Sequence, residues 1–499
     1  MLLNLDEFET ARQSRDPRFD GRFFVGVLTT GIYCRPVCPV RVPKKENVQL
    51  YSTAAAAAAA GFRPCLRCRP ESSPGTPAWI GSSWKVGRAL QLIDQGYLDE
   101  AGVNELAAEL GVGPRQLARL FRNHLGASPL EVAQTRRLHF AKKLIDETRL
   151  PLSEVCFAAG FGSLRRFNAV FQDVYGRSPR QLRNGPRWRV KGDSDRIHLQ
   201  LSYRPPFDWR ALLGFLAFRA IPGVEVVTPT SYARSFRLDD CCGDFELHFA
   251  DSEPTVQVSI ALADSRLLFQ VVDRIRALLD LRADSDFIDA NFASDELLGP
   301  VAKACPGTRV PGCWDGLEVA VRAILGQQVT VRAATTLVSR LVARHGQPCA
   351  SSLDGIDFVF PETATLARAD LTGLGIVGQR IAAITELAQR LSEDKIRIDC
   401  HTPTDEFVRK LCEIKGIGEW TAQYVAMRSL NDPDAFPHGD LILRRAAAEP
   451  GVTLTPGQLL RRAEVWRPWR AYSVLLLWRY YADRAKSQAR AATAKETEA

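Results

Sequence analysis

The spacing of apolar residues changes from region to region along the chain. Runs between residues 196 and 300, such as RIHLQLSY, FELHFAD and TVQVSIAL, alternate apolar and polar positions, which is typical of antiparallel strands. Two segments inside that region, 208–221 and 265–281, place their apolar residues at helical spacing instead. Helical spacing also dominates residues 84–185 and the chain beyond about residue 300. The pattern therefore predicts an α+β region that lies between two helical ones.

Polar stretches separate these regions. Residues 71–83 are rich in Ser, Pro and Gly, and residues 184–195 interrupt the apolar pattern, so both stretches are predicted to be linkers. The fold class expected is a multidomain, mainly α protein with four parts. The predicted parts are a small α/β domain at 1–72, an all-α domain at 80–185, an α+β antiparallel-sheet domain at 194–300 and an all-α domain at 301–490.

The helical region at 84–185 contains two similar halves. Each half, VNELAAELGVGPRQLARLFRNHLG and PLSEVCFAAGFGSLRRFNAVFQDVYGRSP, reads as a helix, a glycine-containing turn and a second helix with basic residues. This order is typical of helix-turn-helix DNA-binding units, and the alternative is a helical interaction module. Phe167 and Phe171 are four residues apart and are predicted to lie in the core, not to stack on bases.

Composition and charge narrow the classes of function. The apolar fraction of 46% and the charged fraction of 24% are ordinary for a globular protein, and no apolar run approaches the roughly 20 residues of a membrane helix. Residues 1–185 carry 26 Lys and Arg against 17 Asp and Glu, which favours contact with nucleic acid. The acidic, polar N-terminus favours a protein without a secretory signal, and we expect it in the cytoplasm, associated with a bacterial nucleoid.

Four of the 12 cysteines form two close pairs. Three residues separate Cys34 from Cys38, two separate Cys65 from Cys68, and 26 lie between the pairs. This spacing supplies four soft ligands for a tetrahedral Zn²⁺, whereas disulfides are not expected in a chain without an export signal. From the spacing alone, a purely structural zinc and a reactive one both remain open.

A second candidate site lies in LCEIKGIGEWTAQYVAMRSLNDPDAFPHGD, residues 411–440. Gly416 and Gly418 predict a tight turn before a helix, whose free N–H groups would face an anion such as a DNA phosphate. Asp440 lies 22 residues beyond Gly418, where a strand-processing enzyme would need a carboxylate. The alternatives are an ordinary helix-to-helix turn for the glycines and a helix N-cap for Asp440.

The N-terminal half resembles the Ada family of adaptive-response regulators. TTGIYCRPVC, KKENVQLY and AGFRPCLRCRP around the four cysteines carry the resemblance, together with an AraC-type signature at 159–183. The resemblance implies that Cys34, a zinc ligand, accepts a methyl group from a DNA methylphosphotriester, and that the protein activates transcription. The expected DNA-contacting side chains on the recognition helices are Gln116, Arg119, Ser163, Arg165 and Arg166. The residues expected to hold phosphates around the thiols are Arg35, Arg41, Lys44, Lys45, Arg63, Arg67 and Arg69.

Roughly the last 300 residues resemble the AlkA-type 3-methyladenine DNA glycosylases of the helix-hairpin-helix superfamily. The motifs that carry the resemblance are YRPPFDWRALLGFLAFRAIPGVE, AILGQQVT, IKGIGEWTAQY, FPHGDL and WRPWRAYSVLLLW. The resemblance implies that Asp440 is the catalytic carboxylate and that Gln328, polar where some relatives carry an apolar wedge, fills the gap left by a flipped base. The residues implied for the base pocket are Trp420, Tyr424, Trp478 and Phe215, and those implied for DNA binding include Gly416 and Gly418.

The two resemblances predict one bifunctional alkylation-damage protein. Trp420 stands where bifunctional glycosylases carry a Schiff-base lysine, so a monofunctional enzyme is expected, which excises 3-methyladenine and 7-methylguanine and leaves the strand intact. The expected cofactor is Zn²⁺, and the expected partners are alkylated DNA, promoter DNA and RNA polymerase, with a monomer and no membrane. The alternative is a transcriptional regulator whose glycosylase fold serves only to dock on DNA. The chain lacks a Pro-Cys-His-Arg motif, so direct reversal of O6-alkylguanine is not expected.

Overall fold

The computed structural model describes residues 5–74, 84–183, 196–398 and 402–498. The linker predicted at 184–195 lies outside these residues, and so does the linker predicted at 71–83 from residue 75 onwards. Within the described ranges, none of the helices is long and apolar enough to span a lipid bilayer.

The N-terminal unit, residues 5–74, is a small sheet covered by helices. Its strands follow the order β3-β1-β2-β4, in which only β2 and β4 are parallel. The Thr53 hydroxyl caps the alanine helix α2 by accepting the Ala56 N–H, and Ala57 packs against Phe24 and Tyr33, because alanine lets a helix approach a sheet closely. The elements are α1 Leu5–Ser14, β1 Phe24–Val27, β2 Ile32–Cys34, β3 Val48–Tyr51, α2 Ala54–Ala59 and β4 Arg63–Pro64.

The tandem-helix unit, residues 84–183, contains the two predicted helix-turn-helix halves. Phe167 and Phe171 are fully buried, which confirms their predicted place in the core. The helices that end each half terminate at Gly126 and Gly176, both in the left-handed conformation that favours glycine. The helices are α3 Trp84–Asp94, α4 Tyr97–Glu100, α5 Val103–Glu109, α6 Pro114–Leu125, α7 Pro129–Glu147, α8 Leu152–Ala158, α9 Leu164–Tyr175 and α10 Pro179–Arg183.

The sheet unit, residues 196–278, is built on five antiparallel strands in the order β5-β9-β8-β7-β6. The alternating apolar positions face one core, in which Leu201, Phe245 and Val256 are fully buried. The antiparallel sheet with two helices confirms the predicted α+β class. The elements are β5 Ile197–Ser202, α11 Trp209–Ala217, β6 Glu225–Val227, β7 Ser231–Leu238, β8 Cys241–Phe249, β9 Thr255–Leu262 and α12 Leu268–Leu278.

The helical unit, residues 285–498, surrounds a second large core. It departs from the predicted all-α class because it contains a short two-stranded antiparallel sheet, formed by β10 and β11. Phe358 of β11 and the preceding Asp357 donate their N–H groups to Gly223 O, so this segment connects the unit to the sheet unit. The elements are α13 Ser285–Phe292, α14 Leu298–Ala304, α15 Gly316–Leu325, α16 Val331–His345, β10 Gln347–Pro348, β11 Phe358–Val359, α17 Thr363–Leu366, α18 Gly378–Ser392, α19 Thr404–Cys412, α20 Glu419–Ser429, α21 Leu441–Ala446, α22 Pro456–Arg462 and α23 Arg470–Glu498.

Helix α7 joins three of the units. The Glu147 carboxylate at its end accepts the backbone N–H of Gln200 in β5 at 3.0 Å and the Arg69 guanidinium of the N-terminal unit at 3.1 Å. Phe140 of α7 packs edge-on against Phe269 of α12, with 4.7 Å between ring centroids. The helix that separates the two helix-turn-helix halves therefore also contacts both the N-terminal unit and the sheet unit.

Candidate functional site

The four cysteines of the N-terminal unit come together in one buried cluster. Their Sγ atoms all lie within 4.8 Å of one another. The parallel pairing of β2 with β4 brings the two pairs together, because Cys34 ends β2 while Cys65 and Cys68 follow β4. Four thiols at this separation match the ligand set of a tetrahedral zinc site, so the residues present fit the metal.

Two of the basic residues expected to hold phosphates are paired inside the protein instead. The Arg35 guanidinium forms a salt bridge with Asp20, and its Nη1 donates to Cys68 O at 3.1 Å. Arg69 lies 3.0 Å from the Asp146 carboxylate and also pairs with Glu147. Local carboxylates thus engage both guanidinium groups, and phosphate binding by Arg35 and Arg69 stays a prediction. The basic residues that remain exposed around the cluster are Arg41, Lys44, Lys45, Arg63 and Arg67.

The second helices of the two helix-turn-helix halves, α6 and α9, present basic side chains to solvent. Arg119 on α6 and Arg165 and Arg166 on α9 are exposed. Ser163 instead caps α9, because its hydroxyl accepts the Arg166 N–H at 3.3 Å. The exposed arginines are thus available for the predicted DNA contact, whereas Ser163 fixes the start of the helix.

The glycine turn between α19 and α20 adopts a hairpin shape. Gly416 has a φ of 98°, which an L side chain rarely adopts, whereas Gly418 has a φ of −95° and caps α20. A side chain at Gly418 would meet nothing within 4 Å. Of these two glycines, only Gly416 therefore needs the backbone freedom of glycine. At Gly418 the backbone faces open space in front of the first turn of α20.

The loop between α15 and α16 is fastened to this hairpin. Gln327 Nε2 donates to Gly416 O at 2.9 Å and to Thr421 Oγ1 at 3.1 Å, and Arg380 donates to Gln327 O. The next residue, Gln328, is exposed and has a φ of 55°. Because Gln327 points inward, Gln328 is held outward beside the hairpin, in a conformation that non-glycine residues seldom adopt.

Asp440 begins helix α21 and contacts the proposed base pocket at the same time. Its Oδ1 accepts the backbone N–H groups of Ile442 at 2.8 Å and Leu443 at 3.0 Å. Its Oδ2 accepts the indole N–H of Trp420 at 3.0 Å. One oxygen of the carboxylate therefore caps the helix, as the local sequence allows. The other oxygen is held in place by an aromatic side chain.

The other three aromatic residues implied for the base pocket lie around Tyr424. The rings of Trp420 and Tyr424 stack with centroids 5.7 Å apart and planes 10° apart, and Trp478 lies 6.4 Å from Tyr424. Phe215 of α11 joins them through Arg428, whose guanidinium carbon lies 5.1 Å from its centroid and 5.8 Å from that of Tyr424. The helical unit and the sheet unit thus both contribute side chains to the predicted pocket.

Three arginines near Tyr424 were not among the residues predicted from the sequence. Arg428 Nη1 donates to Tyr424 Oη at 3.2 Å, and the Arg219 guanidinium stacks on Phe215 at 3.7 Å from the ring centroid. Burial would raise the pKa of the Tyr424 phenol, but the charges of Arg428, Arg219 and Arg322 outweigh burial and hold that pKa below its usual value. A signal existed in the sequence, since Arg219 and Arg428 each follow an aromatic residue of the predicted pocket by four residues, the spacing of neighbours on a helical turn.

A Trp420→Phe substitution tests whether the indole N–H supports Asp440. Phenylalanine keeps an aromatic face in the pocket and removes the donor to Oδ2, so base release is expected to fall about 10-fold, the effect of losing a hydrogen bond to a charged group. The measurement is single-turnover release of 7-methylguanine from duplex DNA. Trp478→Phe is the matched control, because it removes an indole that does not reach Asp440. A loss no greater than that of Trp478→Phe would contradict the role given to the indole N–H.

Family models match four consecutive parts of the chain. They are described as the metal binding domain of Ada at residues 7–71, a helix-turn-helix domain at 106–185, the AlkA N-terminal domain at 198–315 and the HhH-GPD superfamily base excision DNA repair protein at 321–471. The match to the Ada metal-binding domain, together with the clustered thiols, confirms the predicted zinc cofactor.

Relatives match both the whole chain and its C-terminal half. The chain is 40% identical to a Mycobacterium tuberculosis (strain ATCC 25618 / H37Rv) protein named "Probable bifunctional transcriptional activator/DNA repair enzyme AlkA", over 95% of this chain and 96% of that one. It is 32% identical to DNA-3-methyladenine glycosylase 2 of Escherichia coli (strain K12), over 56% of this chain and 95% of that one. The structure of a 3-methyladenine DNA-glycosylase from Archaeoglobus fulgidus shares the fold with a TM-score of 0.50 at 21% identity, over 57% of this chain and 98% of its own. The predicted resemblance to both families is confirmed.

Proposed function

This chain belongs to the family of bifunctional transcriptional activators and DNA repair enzymes that join an Ada-type half to an AlkA-type half, and we propose that it both senses and repairs alkylated DNA. The C-terminal half excises 3-methyladenine and 7-methylguanine by hydrolysis of the N-glycosidic bond. The observation that carries this proposal is the Asp440 carboxylate, oriented by Trp420 at the mouth of an aromatic pocket beside a helical hairpin. The N-terminal half transfers a methyl group to its own cysteine.

Four parts of the C-terminal half take part in the proposed excision, each with its own role. The turn at Gly416 and Gly418 holds a phosphate with the N–H groups that open α20, because the space in front of Gly418 is free. Gln328 fills the gap left when the damaged base leaves the stack. The pocket of Trp420, Tyr424, Trp478 and Phe215 receives the base. Asp440 stays ionised, stabilises positive charge on the sugar and orients the attacking water.

The proposed methyl acceptor is Cys34. Bound zinc keeps the ligand thiols ionised, and the thiolate is the nucleophilic form of cysteine. The Arg35 N–H donates to Cys68 Sγ at 3.3 Å, which lowers the nucleophilicity of that sulfur. Methylation of Cys34 would remove one negative charge from the thiolate cluster and weaken its repulsion of the DNA backbone. That change supplies a physical reason for methylation to raise DNA affinity.

The tandem-helix unit is proposed to bind promoter DNA through α6 and α9 and to bring RNA polymerase to the promoter. The exposed Arg119, Arg165 and Arg166 support this proposal, and the contact of α7 with Arg69 connects the tandem-helix unit to the unit that holds the proposed methyl acceptor. The same proposal places the protein in the bacterial cytoplasm on the nucleoid, where double-stranded DNA is found, as a monomer.

Replacing both Arg165 and Arg166 with Ala is expected to weaken binding to promoter DNA. The slope of log Kd against log salt concentration should fall by about one for each side chain that contacts a phosphate. Fluorescence anisotropy with a duplex selected for binding by the full chain measures both effects. The double variant Arg210→Ala, Arg266→Ala removes the same charge from exposed positions of the sheet unit. An equal loss in both double variants would show that net charge, not α9, determines the binding.

The test of the proposed enzyme is base release by the purified full chain. Duplex DNA that contains 7-methylguanine or 3-methyladenine should yield the free base and an abasic site, and the strand should remain intact until alkali is added. Strand cleavage without alkali would contradict the monofunctional mechanism. Absence of base release, with intact promoter binding, would favour the alternative function of a transcriptional regulator whose glycosylase fold docks on DNA.

A further inference from the structure

A small cavity lies between the sheet unit and the helical unit, beside the arginines that surround Tyr424. Its volume is about 20 Å³, and roughly 10–15 Å³ suffices for one water molecule, so it holds a monatomic ion but excludes a base or a phosphate. The charged residues that line it are Arg219, Arg234, Arg322, Arg428, Glu225 and Glu318. Four guanidinium groups against two carboxylates leave a surplus of two positive charges at this cavity.

Both glutamates are held by groups outside this surplus. Arg234 donates to the Glu318 carboxylate at 2.7 Å and lies 3.6 Å from the Glu225 carboxylate. Glu225 also accepts the Tyr232 O–H at 2.6 Å and the Ile221 N–H at 3.0 Å. Among the described residues that line the cavity, Arg234 is the one arginine that forms salt bridges with the two glutamates. The surplus charge therefore lies on the other three arginines.

Those three arginines donate to neutral partners. Arg428 donates to two backbone oxygens and to the phenol of Tyr424, and Arg219 donates to a backbone oxygen at 3.3 Å. Arg322 Nη2 donates to Thr335 Oγ1 at 2.8 Å. Arg322 Nη1 is buried and has no hydrogen-bond partner in the part of the chain that the structure describes. One buried donor of a charged group is thus left without an acceptor beside the cavity.

Burial makes this uncompensated charge unfavourable. The pKa values of Arg219 and Arg322 lie below the usual value, because burial disfavours the charged form. Cys313, which also lines the cavity, does not supply the missing negative charge, because burial raises the pKa of its thiol to about 12 and keeps it protonated at neutral pH. Buried charges in proteins are paired, so an anion in the cavity is the natural counter-ion.

We propose that the cavity binds one halide ion, which is chloride in the cell, through Arg322 Nη1 and the charges of Arg219 and Arg428. The small volume selects a monatomic anion over phosphate, sulfate or an organic acid. The ion weakens the repulsion among the three guanidinium groups and so helps to hold Arg428 against Tyr424. The inference goes beyond the proposed function and does not depend on base release.

The first test is chloride NMR on the zinc-loaded full chain at constant ionic strength. Exchange of chloride with a protein site broadens the chloride line, and added bromide should compete for the site and narrow the line. Gluconate, which is too large for the cavity, should not. Arg322→Gln is expected to bind chloride about 10-fold more weakly, the effect of losing a hydrogen bond to a charged group. Arg266→Gln, the same substitution at an exposed arginine of the sheet unit, should bind chloride as the wild type does.

Thermal unfolding separates the loss of the ion from damage to the fold. At equal ionic strength, the wild type should unfold at a higher temperature in sodium chloride than in sodium gluconate, since a ligand of the native state stabilises it. Arg322→Gln should lack this difference. In gluconate the variant should unfold no earlier than the wild type, because it removes a buried charge that has no counter-ion there. Earlier unfolding of the variant in gluconate would show that the protein itself compensates the charge, and would overturn the proposal.

Two further results decide what occupies the cavity. Crystals of the full chain grown with bromide should show anomalous scattering from one ion within hydrogen-bond distance of Arg322 Nη1, whereas a cavity that holds only water would overturn the proposal. Equal broadening of the chloride line in the wild type and in Arg322→Gln would indicate an adventitious ion only. Ultraviolet absorbance of tyrosinate at neutral pH that disappears in Tyr424→Phe would also overturn the proposal, because Tyr424 would then supply the negative charge.

Discussion

Asp440→Asn is expected to reduce the release of 7-methylguanine from duplex DNA by about 100-fold to 1,000-fold, the range observed when one oriented electrostatic contact to a transition state is removed. The reason is that an asparagine side chain carries no charge to stabilise the positive sugar. Its amide nitrogen at the place of Oδ2 would also face the indole N–H of Trp420, donor against donor. The measurement is a single-turnover assay with excess protein, so that DNA affinity does not limit the rate.

The same substitution preserves the structural role of Asp440. Asparagine is as good an N-cap as aspartate, so its carbonyl oxygen can still accept the N–H groups of Ile442 and Leu443. Thermal unfolding and affinity for undamaged duplex should therefore stay close to those of the wild type. Asp440→Ala, which also removes the cap, is the matched variant and should unfold more easily by about 1 kcal/mol. Base release by Asp440→Asn at the rate of the wild type would remove Asp440 from the catalytic mechanism.

The observed helix cap and the proposed catalytic role of Asp440 illustrate what the sequence can predict. A carboxylate just before an apolar helix predicts an N-cap, and a carboxylate beyond a glycine hairpin predicts a catalytic group. In the structure, one oxygen of Asp440 caps α21 and the other accepts the indole N–H of Trp420.

The fold class was predictable for a similar reason. Alternation in 196–262 and helical spacing elsewhere are local signals, and the five antiparallel strands and the helices follow them closely.

Contacts between distant segments were not predictable from such local signals. Arg69 follows a cysteine and looks like a phosphate ligand in the sequence, yet it pairs with Asp146 and Glu147 from α7, more than 70 residues away. Arg428 and Arg219 surround Tyr424 only because α11 of the sheet unit packs beside α20 of the helical unit. Long-range pairing depends on how the units dock, and hydrophobic periodicity carries no information about docking.

Cys34→Ser is expected to abolish methyl transfer from DNA that contains methylphosphotriesters. A serine hydroxyl remains protonated at neutral pH and is a far weaker nucleophile than a zinc-bound thiolate. The measurement is mass spectrometry of the zinc-loaded full chain after exposure to the DNA, with the modified residue located in its peptide. In the wild type, one methyl group per chain is expected on Cys34, and none on the other three cysteines of the cluster.

The control for this experiment is Cys412→Ser, which removes an exposed cysteine from the helical unit and leaves the cluster intact. It should accept the methyl group as the wild type does. Zinc content must be measured for each variant, because three thiolates bind the metal more weakly than four and a site that has lost its zinc would fail for that reason alone. A methyl group found on Cys38, Cys65 or Cys68 in the wild type would reassign the acceptor, and a wild-type chain that binds zinc but accepts no methyl group would make the cluster structural.

If Cys34 is methylated, affinity for promoter DNA should rise most at low salt, since the change acts through charge and is screened as the salt concentration increases.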